Sequence, residues 1–413
     1  MRIGIFTDTY PPYINGVSTS IKMLENALIK KGHKVFIVTV NPEAMSYQID
    51  KNGRVIRIPG IPVGIYDYRL TSIYPIRAVN KIKEWDLDVI HSQTEFGIGT
   101  FARVIGKQFD IPVVHTYHTM YEDYVHYITK GYFDTASKKV VEYLTKFYCD
   151  KTTKELIVPT KKTYDLFKEK YKYDRNVHII PTGIEIERFY KEKISLDKKN
   201  NLRSELNISS TDILITFVGR IAEEKSIDFL INNHMPIVRK NKNAKLLIIG
   251  DGPDLEKYKE LAKKNKIEDN VIFTGKVPWN DIAVYYSISD IFVTASHTET
   301  QGLTVIEAMA ASLPVLALDD ESFRNVVIDG LTGYLFRGKK DYVNKLDSLV
   351  SDKDLRVNMG NQGRINSETY SSKYFAERVL HVYKLGIGSR PLKKNKSFFS
   401  RFKLNLKKGF EDE

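Results

Sequence analysis

Ser296-His297-Thr298-Glu299-Thr300-Gln301-Gly302-Leu303-Thr304-Val305-Ile306-Glu307-Ala308-Met309-Ala310 is the stretch whose reading decides the fold. It follows a strand-like run, Ile291-Phe292-Val293-Thr294-Ala295, and gives way at Gly302 to Leu303, Ile306 and Met309/Ala310 at helical spacing. A strand, a polar turn with glycine and a helix mouth form a natural anion site. The unpaired first-turn amides around Gly302, Leu303 and Thr304 and the positive end of the helix dipole face one place. Glu299 lies just before this helix and Glu307 about one turn inside it. A phosphate alone does not favour two carboxylates nearby, but a sugar nucleotide does, because carboxylates accept paired hydrogen bonds from vicinal hydroxyls. One would hold a ribose and the other a hexose. Two solvated surface glutamates are the plain alternative for the bare spacing.

Outward from this stretch, the same alternation recurs. Strand signals at 213–218, 245–249, 271–274, 291–294 and 314–317, with helical segments between, predict a doubly wound sheet over roughly 200–375. A first set lies at 2–7, 34–40, 55–58, 88–92, 112–116, 155–159 and 177–181, with an amphipathic helix over 18–31 stopped by Gly32. The polar, lysine-rich 195–206 reads as a linker. The expected class is α/β: two facing doubly wound Rossmann-like domains, 1–195 and 196–373, with ligands in the cleft between their carboxyl ends. A helix over 374–390 crosses back to the first domain, and 391–413 is a basic tail.

Several turns are candidate sites. Gly219-Arg220 follows the first strand of the second domain, and Lys225 comes five residues later. A guanidinium fork and an ammonium aimed at one spot suit a diphosphate; a surface Arg and Lys are the alternative. Gly250-Asp251-Gly252-Pro253 reads as a tight strand-to-helix turn, since no third glycine follows at dinucleotide spacing. Gly275-Lys276-Val277-Pro278 is a turn. Gly16, at a helix mouth, either lets a backbone approach a diphosphate or only makes the turn. His115 and His118 end the 112–116 strand on the cleft side, and His115 is expected to bond within the sheet.

The 413 residues, 42% hydrophobic and 28% charged, are those of a soluble globular protein with two ordinary domains. No apolar run approaches the roughly 20 residues needed to span a bilayer. The N-terminal residues read as a strand rather than a signal peptide, and the lone Cys149 suits a reducing cytoplasm. The net charge of +12 points to an anionic partner. No zinc-finger, RRM or helix-turn-helix signature supports nucleic acid. In the tail, Phe398, Phe399, Phe402, Leu406 and Phe410 share one side of a helical wheel, with Lys394, Arg401, Lys403, Lys407 and Lys408 around them and Leu404 breaking the pattern. This reads as a helix for an anionic membrane surface. The segment 73–85, with Ile73, Ile76, Val79 and Ile82 beside Arg77, Lys81 and Lys83, is either a second such helix or a sheet cover.

Glu299 and Glu307 with Gly302 between them resemble the signature of retaining glycosyltransferases of family 4, which have the GT-B fold. The fuller Glu-Thr-Gln-Gly-Leu-Thr string is similar to the subgroup that glucosylates diacylglycerol. The string from Gly219 to Lys225 resembles the family's Arg/Lys pair. Pro181-Thr182-Gly183-Ile184-Glu185 with Arg188-Phe189 resembles the hinge side of its cleft, and 121–127 looks like its lipid-acceptor loop. The resemblance implies transfer of glucose from UDP-glucose to diacylglycerol with retention, at the inner face of the cell membrane. It implies roles for His118, Arg220, Lys225 and Glu299 in catalysis. Gly16, Lys276, Val277, Gly302, Leu303, Thr304 and Glu307 would bind the donor, Lys276 and Val277 at the nucleobase. No cofactor beyond the donor is implied, and no residue is assigned to a metal. Another lipid or glycan acceptor, a UDP-sugar 2-epimerase and a non-catalytic nucleotide-sugar sensor are the competing readings.

Overall fold

The computed structural model describes residues 1–13, 15–43, 45–62, 69–72, 74–95, 97–118, 153–297, 299 and 301–388. Short runs of Ile, Val and Leu without polar alternation become strands covered on both faces. The first sheet contains β1 (Arg2–Phe6), β2 (Lys34–Val40), β3 (Gln48–Ile49) and β4 (Val55–Ile58). Beyond a small antiparallel hairpin of β5 (Gly60–Pro62) and β6 (Arg69–Thr71), it continues with β7 (Val89–Ser92), β8 (Val113–Thr116), β9 (Glu155–Val158) and β10 (Val177–Ile179). Their order among the described residues is β10-β9-β8-β7-β1-β2-β4-β3, parallel except for β3 against β4. The second sheet is parallel throughout. It contains β11 (Ile213–Val218), β12 (Ala244–Ile249), β13 (Val271–Phe273), β14 (Ile291–Thr294), β15 (Val315–Leu318) and β16 (Gly333–Phe336), in the order β13-β12-β11-β14-β15-β16.

Each order reverses once, between β1 and β7 and between β11 and β14. Loops leaving neighbouring strands there diverge to opposite faces of the sheet and open a crevice at the carboxyl ends. The loop after β11 carries Arg220 and Lys225, and the loop after β14 carries Glu299. The two loops that flank the second crevice thus hold the charged residues singled out in the sequence.

The helices explain how the crevices are kept. Helix α1 (Gly16–Lys30) starts under an Asn15 cap, whose Oδ1 accepts the Ser18 amide at 2.9 Å. Helix α2 (Ile76–Trp85) buries Ala78, Val79, Ile82 and Trp85, and the indole stacks on Phe36 of β2 at 4.8 Å. Of its two readings, it is a sheet cover. Helix α3 (Gly97–Phe109) is capped by Asp8, whose Oδ1 accepts the Ile98 amide at 3.0 Å. The expected linker at 195–206 is instead a helix, α4 (Leu196–Glu205). Ser195 caps it, and its one buried side chain, Leu202, packs with Ile208, Leu214 and Ile288. Helix α5 (Leu303–Ala310) follows Gly302. Helix α6 (Ser372–Gly388) crosses back: the Ser372 amide donates to Ile184 O at 2.8 Å, and Phe375, Ala376, Val379, Val382 and Tyr383 enter the core of the first sheet beside Ile3, Ile21 and Leu24.

Among the described residues no helix is long and apolar enough to cross a membrane. Ile73, the 121–127 loop and the tail at 391–413, with its interfacial reading, lie outside the described residues.

Gly250 and Gly252 make the tight turn expected of them, because the loops after β11 and β12 touch there. A Cβ on Gly250 would stand 1.9 Å from Gly219 O, and one on Gly252 would stand 2.2 Å from Ile221 O. Gly250 also has φ of 140°, a conformation that L side chains avoid. Gly250→Ala is therefore expected to cost roughly 3 kcal/mol, read as a lower thermal midpoint for the second sheet; an unchanged midpoint would mean the loops can separate freely.

Candidate active site

Lys225 closes a short 3-10 turn after β11, with Ser226 behind it in the left-handed region at φ 50°. Its Nζ lies 2.5 Å from Glu299 Oε1 and 3.4 Å from Ser296 Oγ. The two charged side chains are only 17% and 25% exposed, so their attraction is less screened than that of a surface pair. Residues 74 apart in sequence thus share one spot at the crevice. Arg220 follows the end of β11, is exposed, and makes no hydrogen bond or ion pair among the described residues. It belongs to the same crevice, but nothing ties it to Lys225.

Gly302 is left-handed (φ 65°, ψ 50°), and a Cβ there would press on the Phe323 ring at 3.0 Å. Glycine is needed to turn the chain into α5. The amides of Leu303 and Thr304 have no acceptor among the described residues, as expected of a helix first turn. One turn in, Glu307 Oε2 accepts the Tyr286 hydroxyl at 2.9 Å. Burial raises the Glu307 carboxyl to about 7, although the Tyr286 hydroxyl and the nearby Arg188 charge both pull it down. Arg188 in turn lies flat on the Trp279 indole, 3.3 Å from its centroid, and donates to Trp279 O at 2.8 Å. It links Glu307 to the turn of Lys276 and Val277, where Lys276 is exposed and Val277 packs on the core.

Across the cleft, His118 follows β8, and its Nε2 lies 2.6 Å from Gln93 Oε1. Burial pushes its imidazole down to about 4, with Glu95 opposing and His115 reinforcing the shift. His115 bonds within the sheet, to Ser92 O at 2.9 Å and Glu95 Oε1 at 2.9 Å. Gly16 opens α1 without a left-handed backbone, and a Cβ there would meet nothing within 4 Å. The protein's own packing does not demand glycine at this position.

The sequence reading missed a clasp. Gln301 Oε1 accepts the Thr182 amide at 2.8 Å, and Gln301 Nε2 donates to Thr182 O at 2.8 Å. Thr182 Oγ1 lies 3.2 Å from Ser20 Oγ of α1. One glutamine side chain therefore fastens the loop before α5 to the segment joining the two sheets. Its place between Glu299 and Gly302 was visible, but an amide has no charge or period to announce a partner 119 residues away. Gln93 was missed for the same reason; Arg188 was placed on the hinge side of the cleft, but its contact with Trp279 was not foreseen. Among the described residues no three His, Cys, Asp or Glu gather to hold a metal ion. The assembled parts are a cation, helix-end amides and two carboxylates around one crevice, which can receive a phosphorylated, hydroxyl-rich molecule.

Two family models divide the chain between them: "Glycosyltransferase Family 4" matches residues 14–188 and "Glycosyl transferases group 1" matches 198–366. The chain is 36% identical to an alpha-monoglucosyldiacylglycerol synthase of Streptococcus pneumoniae, over 93% of this chain and 85% of that protein. It is 34% identical to the protein of the same name from Acholeplasma laidlawii, over 93% and 96%. A solved Anabaena protein in complex with UDP-glucose superposes with a TM-score of 0.67 at 14% identity, covering 93% of this chain and 99% of that one. The protein is a glycosyltransferase with the α/β GT-B fold. It belongs to glycosyltransferase family 4, beside the monoglucosyldiacylglycerol synthases.

Two outcomes test this geometry. The folded protein holds the Glu307 proton between the ordinary carboxylate range and about 7, where the unfolded chain releases it, so the burial cost grows as pH rises through that window. The stability of Glu307→Gln relative to the parent should therefore rise from pH 5 to pH 8 in parallel urea titrations; a flat difference removes the raised carboxyl. Gln301→Ala leaves the Thr182 amide and carbonyl unpaired and should cost about 2 kcal/mol in the same titrations.

Proposed function

We propose that the protein moves glucose from UDP-glucose to the free hydroxyl of diacylglycerol, with retention of the α configuration, at the inner face of the cell membrane. The observation that carries the reading is the meeting of Lys225 and Glu299 at the second crevice, one group suited to a diphosphate and the other to sugar hydroxyls. The names of the Streptococcus and Acholeplasma relatives support the lipid acceptor, and the UDP-glucose complex of the Anabaena protein supports the donor.

In this reading residues 196–373 bind the donor and residues 1–195 the acceptor. Lys276 and Val277 meet the nucleobase, and Glu307 accepts the ribose hydroxyls. Arg220, Lys225 and the amides of Gly302, Leu303 and Thr304 hold the diphosphate, with Gly16 admitting it from the other side. Glu299 orients the hexose, and His118 sits near its anomeric carbon. The acceptor oxygen attacks that carbon from the face the diphosphate leaves. The bond to the departing phosphate oxygen breaks as the new bond forms, and that same oxygen takes the acceptor proton. Retaining glycosidases instead use a carboxylate nucleophile. Here Glu307 is engaged with Tyr286, and Glu299 with Lys225. Catalysis is then positioning plus neutralisation of leaving-group charge. The basic tail at 391–413 supplies the contact with anionic lipid.

The test is incubation of the purified protein with labelled nucleotide sugars and mixed liposomes, followed by identification of products. A glucosylated diacylglycerol with equimolar UDP is expected; a free epimerised nucleotide sugar formed without acceptor would overturn the proposal. In the same assay Lys225→Ala should lower turnover by about 10²–10³-fold while leaving the fold intact by circular dichroism. Near-normal turnover would take Lys225 out of the mechanism.

A further inference from the structure

Gln93 is a buried side chain that the proposed reaction leaves unused, yet both ends of its amide are engaged. It follows β7 at the first crevice and is 3% exposed. Its Oε1 lies 2.6 Å from His118 Nε2. Its Nε2 is nearly equidistant from the two ring nitrogens of His91, at 3.0 and 3.2 Å. In the ring plane, those nitrogens already have hydroxyl partners: Tyr383 of α6 at 2.7 Å on Nδ1 and Thr116 at 2.7 Å on Nε2. An in-plane approach to both nitrogens would also collide with the carbon between them. The amide group therefore sits over the face of the imidazole.

That position decides which way round the amide lies. Burial holds His91 well below its ordinary range, so the ring is neutral and presents an electron-rich face. An N–H over such a face is attracted, and a carbonyl oxygen there is repelled. The nitrogen thus faces His91, and the oxygen faces His118. An amide oxygen can only accept, so His118 Nε2 must carry the proton. A neutral imidazole then has a bare Nδ1, and His118 makes no other hydrogen bond among the described residues. Tyr383 and Thr116 hold the His91 ring, His91 sets Gln93, and Gln93 sets His118.

We propose that Gln93 is a positioning residue that fixes His118 as its Nε2–H tautomer, so that Nδ1 accepts a hydrogen bond from a hydroxyl of the transferred sugar. The second half rests on the reading of His118 given above. Without Gln93, the imidazole could turn or present a donor where a sugar hydroxyl needs an acceptor.

Two-bond proton–nitrogen correlation spectra of the full chain labelled with [15N]histidine test this, with the His118 signals identified by their loss in His118→Asn. The free protein should show a protonated Nε2 and a bare Nδ1. Gln93→Leu should shift the pattern to a mixture of tautomers and lower kcat/KM for UDP-glucose about tenfold, the effect of one hydrogen bond. Gln93→Glu, which keeps an acceptor toward His118 but puts an oxygen over His91, should restore the Nε2–H pattern in part and raise the pH at which His118 titrates. A protonated Nδ1 in the parent, or a pattern unchanged in Gln93→Leu, overturns the role of Gln93. Adding UDP-glucose separates the two halves, because it should move the Nδ1 signal to a hydrogen-bonded value. An unmoved signal with the tautomer as assigned overturns the contact between His118 and the sugar, and it does so without touching the assignment to Gln93.

Discussion

Two parallel sheets can each build a crevice, but a reaction between two bound molecules needs the crevices held in a fixed relation. The reciprocal hydrogen bonds between the Gln301 side chain and the Thr182 backbone meet that constraint. Gln301 is itself 8% exposed, so water competes little for its amide. Because it sits between Glu299 and Gly302, it locates the carboxylate before α5 and the amides that open the helix. Because Thr182 leans on Ser20, the same contact reaches the first turns of α1. A small neutral side chain thus transmits register between the loop before α5 and the first turns of α1.

Charge at the second crevice is arranged in two tiers. One is the pair of Lys225 and Glu299, and the other is Glu307, with its carboxyl lifted by burial and hydrogen-bonded by Tyr286. The stack of Arg188 on Trp279 extends this tier outward to the 275–279 turn.

Much of the architecture was legible because each strand is a short apolar run and each loop carries its own signal. The order of strands in the second sheet was not, since right-handed crossovers fix the face on which each helix packs but not which strands are neighbours. What escaped detection had no periodic signature. Helix α4 has one buried side chain, Leu202, so polar residues dominate its pattern and suggested a linker. Strand β16 is four residues at an edge, Gly-Tyr-Leu-Phe, with no alternation to betray it. In the site, charged residues in glycine-bearing turns were visible from their neighbours. Gln93 and the contact of Gln301 with Thr182 were not, because the partners are remote in sequence and their chemistry is that of any surface amide or backbone group. Arg220 shows the reverse limit: its position was plain, but its lack of an anchoring partner among the described residues was not.

The return of α6 has a consequence for biosynthesis. Phe375, Ala376, Val379, Val382 and Tyr383 complete a core otherwise made by earlier residues of the first sheet and its helices, from Ile3, Ile21 and Leu24 to Ile157 and Ile180. Translation runs from one end to the other, so the opening half emerges from the ribosome hundreds of residues before its last packing partner. Until then the apolar face awaiting α6 is uncovered, while the second sheet and its loops are already available to fold. Completion of the first sheet's core thereby waits for the synthesis of α6, and nascent protein stalled before residue 372 would be a natural client for chaperones.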